Sequence, residues 1–196
     1  MSTTNNRQNG PLADKWDARY RAAGAAKAVE VLAENRHLLP AAGEALDLAC
    51  GLGGNALLLA RHGLRTTAWD LSPVAIGRLA RAAADLPLSA EVRDVLAAPP
   101  AAESFDVIVV SRFLERDLCP ALMAALRPGG LLFYQTFTRD KAIPGGPSNP
   151  AFLLAENELL RLFAGLRLRV YREEGCLGDV TCGLRNEALL VAQRPE

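Results

Sequence analysis

Histidine is nearly missing from this chain, with two among 196 residues. Neither His37 nor His62 has an acid or serine at triad-like spacing, so nothing points to a hydrolase nucleophile–base pair. Each ends a helical pattern, where an imidazole simply favours the helix dipole. An excess of either charge is also missing. Lysine plus arginine and aspartate plus glutamate stand at 22 each, which removes the strongest argument for a nucleic-acid or membrane-surface partner. No apolar run approaches the roughly 20 residues that a membrane helix needs. Residues 1–10 are polar and lack the apolar core of a secretory signal, so a cytoplasmic protein is expected. In that compartment the four cysteines, Cys50, Cys119, Cys176 and Cys182, read as reduced thiols and not as a disulfide framework. Cys176 and Cys182 flank one loop, but two thiols without histidine partners are insufficient for zinc. No metal is expected. Internal repeats and low-complexity tracts are absent too.

What is present is a core-forming chain. Half its residues are hydrophobic, enough for one domain. Three regions are expected: a flexible tail over residues 1–11, helices over residues 12–40 appended to the core and capping its site, and a core over residues 41–196. Leu12, Trp16, Arg19 and Tyr20 are spaced to share one face of a helix over 12–23. A second helix is expected over 25–39, stopped by Pro40.

The core is organised around residues 44–55, where a short apolar run containing Asp47 meets Gly51, Gly53 and Gly54 and then a helical pattern. Strand, glycine turn and helix let a backbone approach a nucleotide-like ligand closely. Strand and helix then alternate: strands at 64–69, 88–93, 105–110 and 131–137, with helices after Pro73 and Pro120 and a breaker at 127–130. Ser72 is the expected N-cap of the first of these helices, with Val74, Leu79, Ala80 and Ala83 as its buried stripe. A parallel sheet covered by helices follows. The end differs. After a Gly- and Pro-rich loop over 138–150 and a helix over 156–164, alternation at 166–171 and a run at 187–192 read as two strands of a hairpin-like finish. One of them should be antiparallel.

Two ligands compete for the glycine turn. Gly51-x-Gly53-x-x-Ala56, with Asp70 about 20 residues on, can be written as a loose dinucleotide fingerprint for NAD(P). Three carboxylates argue otherwise: Asp47 lies inside the first strand's end, Asp70 ends the second strand, and Asp94 ends the third. Strand C-termini converge on one crevice. Carboxylates suit ribose hydroxyls, an exocyclic amine and an ammonium, whereas phosphates favour backbone donors. The pattern therefore favours S-adenosylmethionine.

At this point the chain resembles a known family. Asp47-Leu-Ala-Cys-Gly-Leu-Gly-Gly-Asn55 is similar to motif I of the class I S-adenosylmethionine-dependent methyltransferases. Trp69-Asp70-Leu-Ser resembles their second motif and Val92-Arg-Asp94-Val their third. Phe105-Asp-Val-Ile-Val-Val110 and Leu126-Arg-Pro-Gly-Gly-Leu131 resemble the fourth strand and the turn before the fifth. Asn55, the Ala-Trp-Asp segment and Trp16-Asp-x-Arg-Tyr20 bring the chain nearest the tellurite-resistance and thiopurine-type branch. The resemblance implies a Rossmann-like α/β three-layer sandwich whose seven-stranded, mostly parallel sheet has the order 3-2-1-4-5-7-6, with strand 7 antiparallel.

It further implies that Ala49, Cys50, Gly51 and Gly53 wrap the methionine part of the cofactor, beside Asp47 and Asn55. Asp70 with Leu71 would take the ribose, Asp94 with Val95 the adenine, and Ser111 with Arg112 the methionine moiety and substrate. Trp16 would lie over the cofactor, and Arg112 and Tyr20 are the candidates for a role at the reacting group. The family commonly has glycine where Ala49 stands. Methyl transfer to a small-molecule acceptor is the expected activity, with a cofactor-binding sensor or partner subunit as the alternative. Arg112, Arg116 and Arg139 could orient an anionic acceptor or be solvated surface, and the 138–150 loop could close over the acceptor pocket as a lid.

Overall fold

The computed structural model describes residues 10–25 and 27–196. Most of the expected tail, residues 1–9, lies outside the described residues.

Five strands form the parallel part of the sheet: β1 (Glu44–Leu48), β2 (Arg65–Asp70), β3 (Leu88–Val92), β4 (Phe105–Ser111) and β5 (Leu126–Phe137). β6 (Arg167–Arg172) and β7 (Glu187–Gln193) follow, and the spatial order is β3-β2-β1-β4-β5-β7-β6. β7 runs antiparallel to both neighbours. The fold class and order match the expectation. Side chains alternate across the sheet, as a two-residue period requires. Val107, Val109 and Phe133 pack on one face with Leu32 and Leu59, while Ile108, Val110 and Tyr134 pack on the other with Leu122 and Phe163. Both faces are therefore covered, which is why β4 tolerates an almost unbroken apolar run.

The helices are α1 (Gly10–Ala22), α2 (Glu30–Ala33), α3 (Gly54–His62), α4 (Pro73–Ala82), α5 (Cys119–Ala125) and α6 (Glu158–Leu162). Ser72 caps α4 through Ala75 N–H, with proline next in line, as its sequence dictates. The buried stripe of α4 is Ala75, Ile76, Leu79 and Ala83, so Val74 and Ala80 drop out of the expected set.

Other expectations need correction. The helix expected over 25–39 shrinks to α2 and a 3-10 turn at Arg36–Leu38. Its backbone is recruited by the core instead: Val29 N–H donates to Asn55 Oδ1 (3.0 Å) and Val31 N–H to Gln135 Oε1 (2.8 Å). The breaker at 127–130 does not separate helix from strand, because Leu126 already pairs with Phe105 before the ladder shifts and resumes at Leu131. α6 covers only Glu158–Leu162. β6 is an edge strand whose register shifts between Leu168 and Val170, leaving Leu168 exposed.

Candidate active site

The C-terminal ends of β1, β2, β3 and β4 meet along one edge, and the chain leaves β1 through a tight turn. Ala49 (φ 54°), Gly51 (φ 53°) and Gly53 (φ 75°) all occupy the left-handed region. Glycine does so freely, but alanine bears a cost of about 1 kcal/mol. The glycine usual in the family at position 49 thus has a backbone reason. Gly53 has a second constraint, since a Cβ there would fall 2.4 Å from Leu79.

Asp70 ends β2 almost fully buried and reaches back to this turn. Its Oδ2 accepts from Gly51 N–H (2.8 Å) and its Oδ1 from Ser72 N–H (2.9 Å). Burial raises its pKa above the usual carboxylate range, against the pull of these two N–H groups. Asp47 is placed otherwise. It is 0 % exposed, and its Oδ2 accepts from Ala56 N–H (2.9 Å) in the first turn of α3. Asn55 Nδ2 lies 3.4 Å from its other oxygen. Burial pushes the Asp47 carboxyl up to about 8. Asp47 therefore holds the turn from below and is withdrawn from the crevice, contrary to its reading as a direct ligand.

Asn55 is withdrawn for the same reason. Its amide is used by Val29, Asp47 and, at 3.1 Å, Ser111 Oγ. Cys50 is buried and donates weakly to the Gly51 carbonyl, and burial raises its thiol pKa. At the end of β3, Asp94 Oδ1 accepts from Leu96 N–H (3.0 Å), while Val95 is buried beside it in sequence. Leu71 is half-buried.

α1 lies over the turn. A Cβ added at Gly51 would fall 2.9 Å from the Tyr20 hydroxyl oxygen. Trp16 stacks on Tyr20 with ring centroids 5.8 Å apart, and Arg19 sits over Trp16. Burial, with the nearby Asp70 charge, raises the Tyr20 phenol pKa, which suits it to donating a hydrogen bond. The middle of α1 and the turn at its C-terminal end are clasped to α4 and its cap. Ser72 Oγ and Val74 N–H donate to Asp17 Oδ1, and Arg78 donates to the carbonyls of Tyr20, Ala23 and Gly24. Sequence reasoning missed Asp17 and Arg78. Asp17 stood inside the Trp16-to-Tyr20 motif; Arg78 gave no signal.

Beyond β4, Arg112 has φ 52° and an exposed guanidinium. Its Nε donates to Glu187 Oε1 at 2.8 Å. Glu187 is 7 % exposed, and its Oε2 accepts from Gln135 Nε2 (2.6 Å), which also donates to Glu30 Oε2 (2.8 Å). This network was not legible in the sequence either. Glu30, Glu34, Arg112, Ile143, Arg172, Leu184 and Glu187 are among the residues lining a cavity of about 450 Å³.

Arg116 is held by Glu158 and by the carbonyls of Ala151 and Leu153, which makes it a tether and not a substrate cation. The 138–150 loop is pinned at Ile143 by both amide atoms of Asn186. Cys176 and Cys182 are exposed near Asp140 and Asp179 respectively. Among the described residues no cluster of three or more histidine, cysteine, aspartate or glutamate side chains is arranged to hold a metal. None of the described helices is long and apolar enough to cross a membrane.

Residues 45–130 match a family described as "Methyltransferase domain". "Hemagglutinin 1" of Eikenella corrodens is 34% identical over 139 residues, covering 65% of this chain and 45% of that protein. "Ubiquinone biosynthesis O-methyltransferase" of Methylobacterium sp. (strain 4-46) is 35% identical over 109 residues, covering 51% of this chain and 43% of that one. The chain thus spans under half the length of both curated relatives. The crystal structure of TehB from Haemophilus influenzae superposes with a TM-score of 0.66 at 24% identity, covering 93% of this chain and 66% of that chain. The domain match sits on the turn and strands that build the crevice, and the sheet order with its antiparallel β7 differs from the dinucleotide-binding order. The chain thus carries a match to a methyltransferase domain over residues 45–130, on a fold that it shares with TehB.

Proposed function

We propose that the protein transfers the methyl group of S-adenosylmethionine to a small-molecule acceptor by in-line displacement. The observation that carries this reading is the use already made of the backbone donors around the glycine turn. A dinucleotide pyrophosphate would need free N–H groups at the start of α3. There Ala56 N–H donates to the Asp47 carboxylate, Gly51 N–H to Asp70, and Gly53 N–H to the Cys50 carbonyl. Asp47 from below the turn and Asp70 from beside it therefore occupy donors that phosphates would need. Asp70, which reaches the turn, suits a hydroxyl-bearing ligand.

The donor set fits that cofactor. Each Asp70 oxygen accepts one N–H and keeps further acceptor capacity for ribose hydroxyls. Ala49, Cys50, Gly51 and Gly53 shape the wall for the amino-acid portion. Leu71, Asp94 and Val95 border the adenine end, Ser111 and Arg112 the methyl end, and Trp16 and Tyr20 the roof. The cofactor supplies an activated methyl group; the chain positions the acceptor and excludes water. No side chain is required as a base for an acceptor that arrives as a thiolate, amine or oxyanion. The acceptor occupies the cavity of about 450 Å³, which lies between Glu30 and Glu34 of the N-terminal segment and Ile143 of the 138–150 loop.

Calorimetry tests the reading. S-adenosylmethionine and S-adenosylhomocysteine are expected to bind and NADPH is not. Asp70→Ala is expected to weaken binding at least about tenfold, since donors lose a charged acceptor. Binding of NADPH alone would refute it. Cofactor binding without product on a broad acceptor panel would favour a sensor.

A further inference from the structure

We propose that the methyl acceptor carries an anionic group and that the terminal guanidinium nitrogens of Arg112 receive it. This inference rests on the transferase reading and adds the substrate's charge class to it.

The cavity beyond β4 is lined by both signs: Glu30, Glu34 and Glu187 against Arg112, Arg172 and Arg185. What separates the two signs is which hydrogen-bonding atoms remain. Both Glu187 oxygens are taken, one by Arg112 Nε and one by Gln135 Nε2. Glu34 faces Arg172 at 3.7 Å. Glu30 gives one oxygen to Gln135. Arg185 is used up inside its own loop by the carbonyls of Gly175, Leu177, Asp179 and Cys182. Arg172 is held at Nε by Glu174 and also faces Glu34, so two carboxylates offset its charge. Arg112 has one carboxylate ion-pair partner among the described residues, Glu187, and is the more exposed of the two arginines. Its Nε is held, its Nη1 and Nη2 have no hydrogen-bond partner among the described residues, and its side chain is 52% exposed.

The fixing is built in. Glu187 and Gln135 are 7 % and 0 % exposed, and their only role in view is to hold one another, the N-terminal segment and this guanidinium. Arg112 also adopts a left-handed backbone that a non-glycine residue rarely takes. A guanidinium held by one edge presents its remaining donors in a planar fork, which matches a carboxylate or phosphate. Ser111, one residue before it, closes the methyl end of the crevice through Asn55. An anion on Arg112 therefore anchors the acceptor at the mouth of the reaction site.

Benzoate, benzamide and benzylamine serve as size-matched probes, titrated by ligand-observed NMR into the full chain saturated with S-adenosylhomocysteine. Benzoate is expected to bind at least about tenfold tighter than either of the others, as a charge-assisted pair predicts. Arg112→Gln is expected to abolish that preference. The double variant Arg112→Gln/Glu187→Gln leaves no buried charge unpaired and serves as the check should the single variant fail to fold. Glu187→Gln alone should reduce the benzoate-to-benzamide ratio without moving benzamide affinity, a change that a purely structural role would not produce. Equal binding of the three probes, tighter benzylamine, no binding of any probe, or a preference that survives loss of Arg112 would each overturn the proposal. Failure of S-adenosylhomocysteine to bind at the outset would instead count against the transferase reading.

Discussion

At the scale of single residues, the crevice is governed by where each carboxylate is allowed to be charged. Asp47 and Asp70 were both expected at the ligand because strand ends converge there; Asp70 reaches the glycine turn through Gly51 N–H. Asp47 points into the packing beneath the turn, since β1 places it in register with Ala68 and Val109 in the middle of the sheet. Its apolar surroundings raise the folded-state pKa to about 8, against about 4 in an unfolded chain. The sign follows from linkage. The folded state holds the proton more tightly, so the associated stability is fully present below about pH 4 and is lost as pH rises towards 8. Asp70, shifted the same way by burial, adds to the trend. Asp47→Asn keeps an acceptor for Ala56 N–H and removes the titration. Urea unfolding should show that the variant loses roughly 2–4 kcal/mol less than the parent between pH 4 and pH 8. Parallel pH profiles would show that Asp47 is not the group responsible. Ala49 is the residue whose oddity was visible in the sequence but whose cause was not. Only the backbone angle shows why glycine belongs there.

At the scale of elements, the least legible part was the N-terminal region. Its sequence has helical composition over residues 25–39, yet β-branched Val29 and Val31 sit where core side chains demand their N–H groups, and a four-residue helix is what remains. Tertiary hydrogen bonds outweighed a weak local preference. α1 was legible in extent, but its seat was not, because the clasp joins residues 55 to 58 positions apart. With Tyr20 against Gly51 and Asp70 only 6% exposed, the proposed cofactor path runs beneath this helix. Arg78→Ala removes the donor to the carbonyl of Tyr20 in the last turn of α1 and to those of Ala23 and Gly24 just beyond it. It should raise amide hydrogen exchange throughout α1 by about tenfold and speed release of S-adenosylhomocysteine, leaving exchange in β4 and β5 unchanged. Unaltered exchange in α1 would show that Asp17 alone suffices to hold it.

At the scale of the whole molecule, alternation of strand and helix and the hairpin-like ending made the sheet readable, apart from the early start of β5 at Leu126. The runs at 105–110 and 187–192 are almost unbroken because both faces of the sheet are covered. The charged network behind Arg112 was unreadable. Gln135, Glu187 and Glu30 are separated by 52 and 105 positions, and each looks like an ordinary polar residue in its own neighbourhood. The clasp on α1 ties the roof to α4, and this network ties the N-terminal segment to the sheet, so a ligand held between them should stabilise the chain as one unit. S-adenosylhomocysteine at about a hundred times its dissociation constant should add about 2.7 kcal/mol and raise the melting temperature by roughly 5–10 °C, measured by calorimetry in a single transition. A shift confined to one of two separate transitions would show that the roof and the sheet melt apart. The amide of Gln135 sets one more limit, on the order of assembly. It holds Val31 across 104 positions and Glu30 across 105. As the chain leaves the ribosome, this segment must wait until the 104 residues up to Gln135 have followed it. Closing so long a loop has a high entropic cost, so the wall that Glu30 adds to the cavity is among the last parts to set.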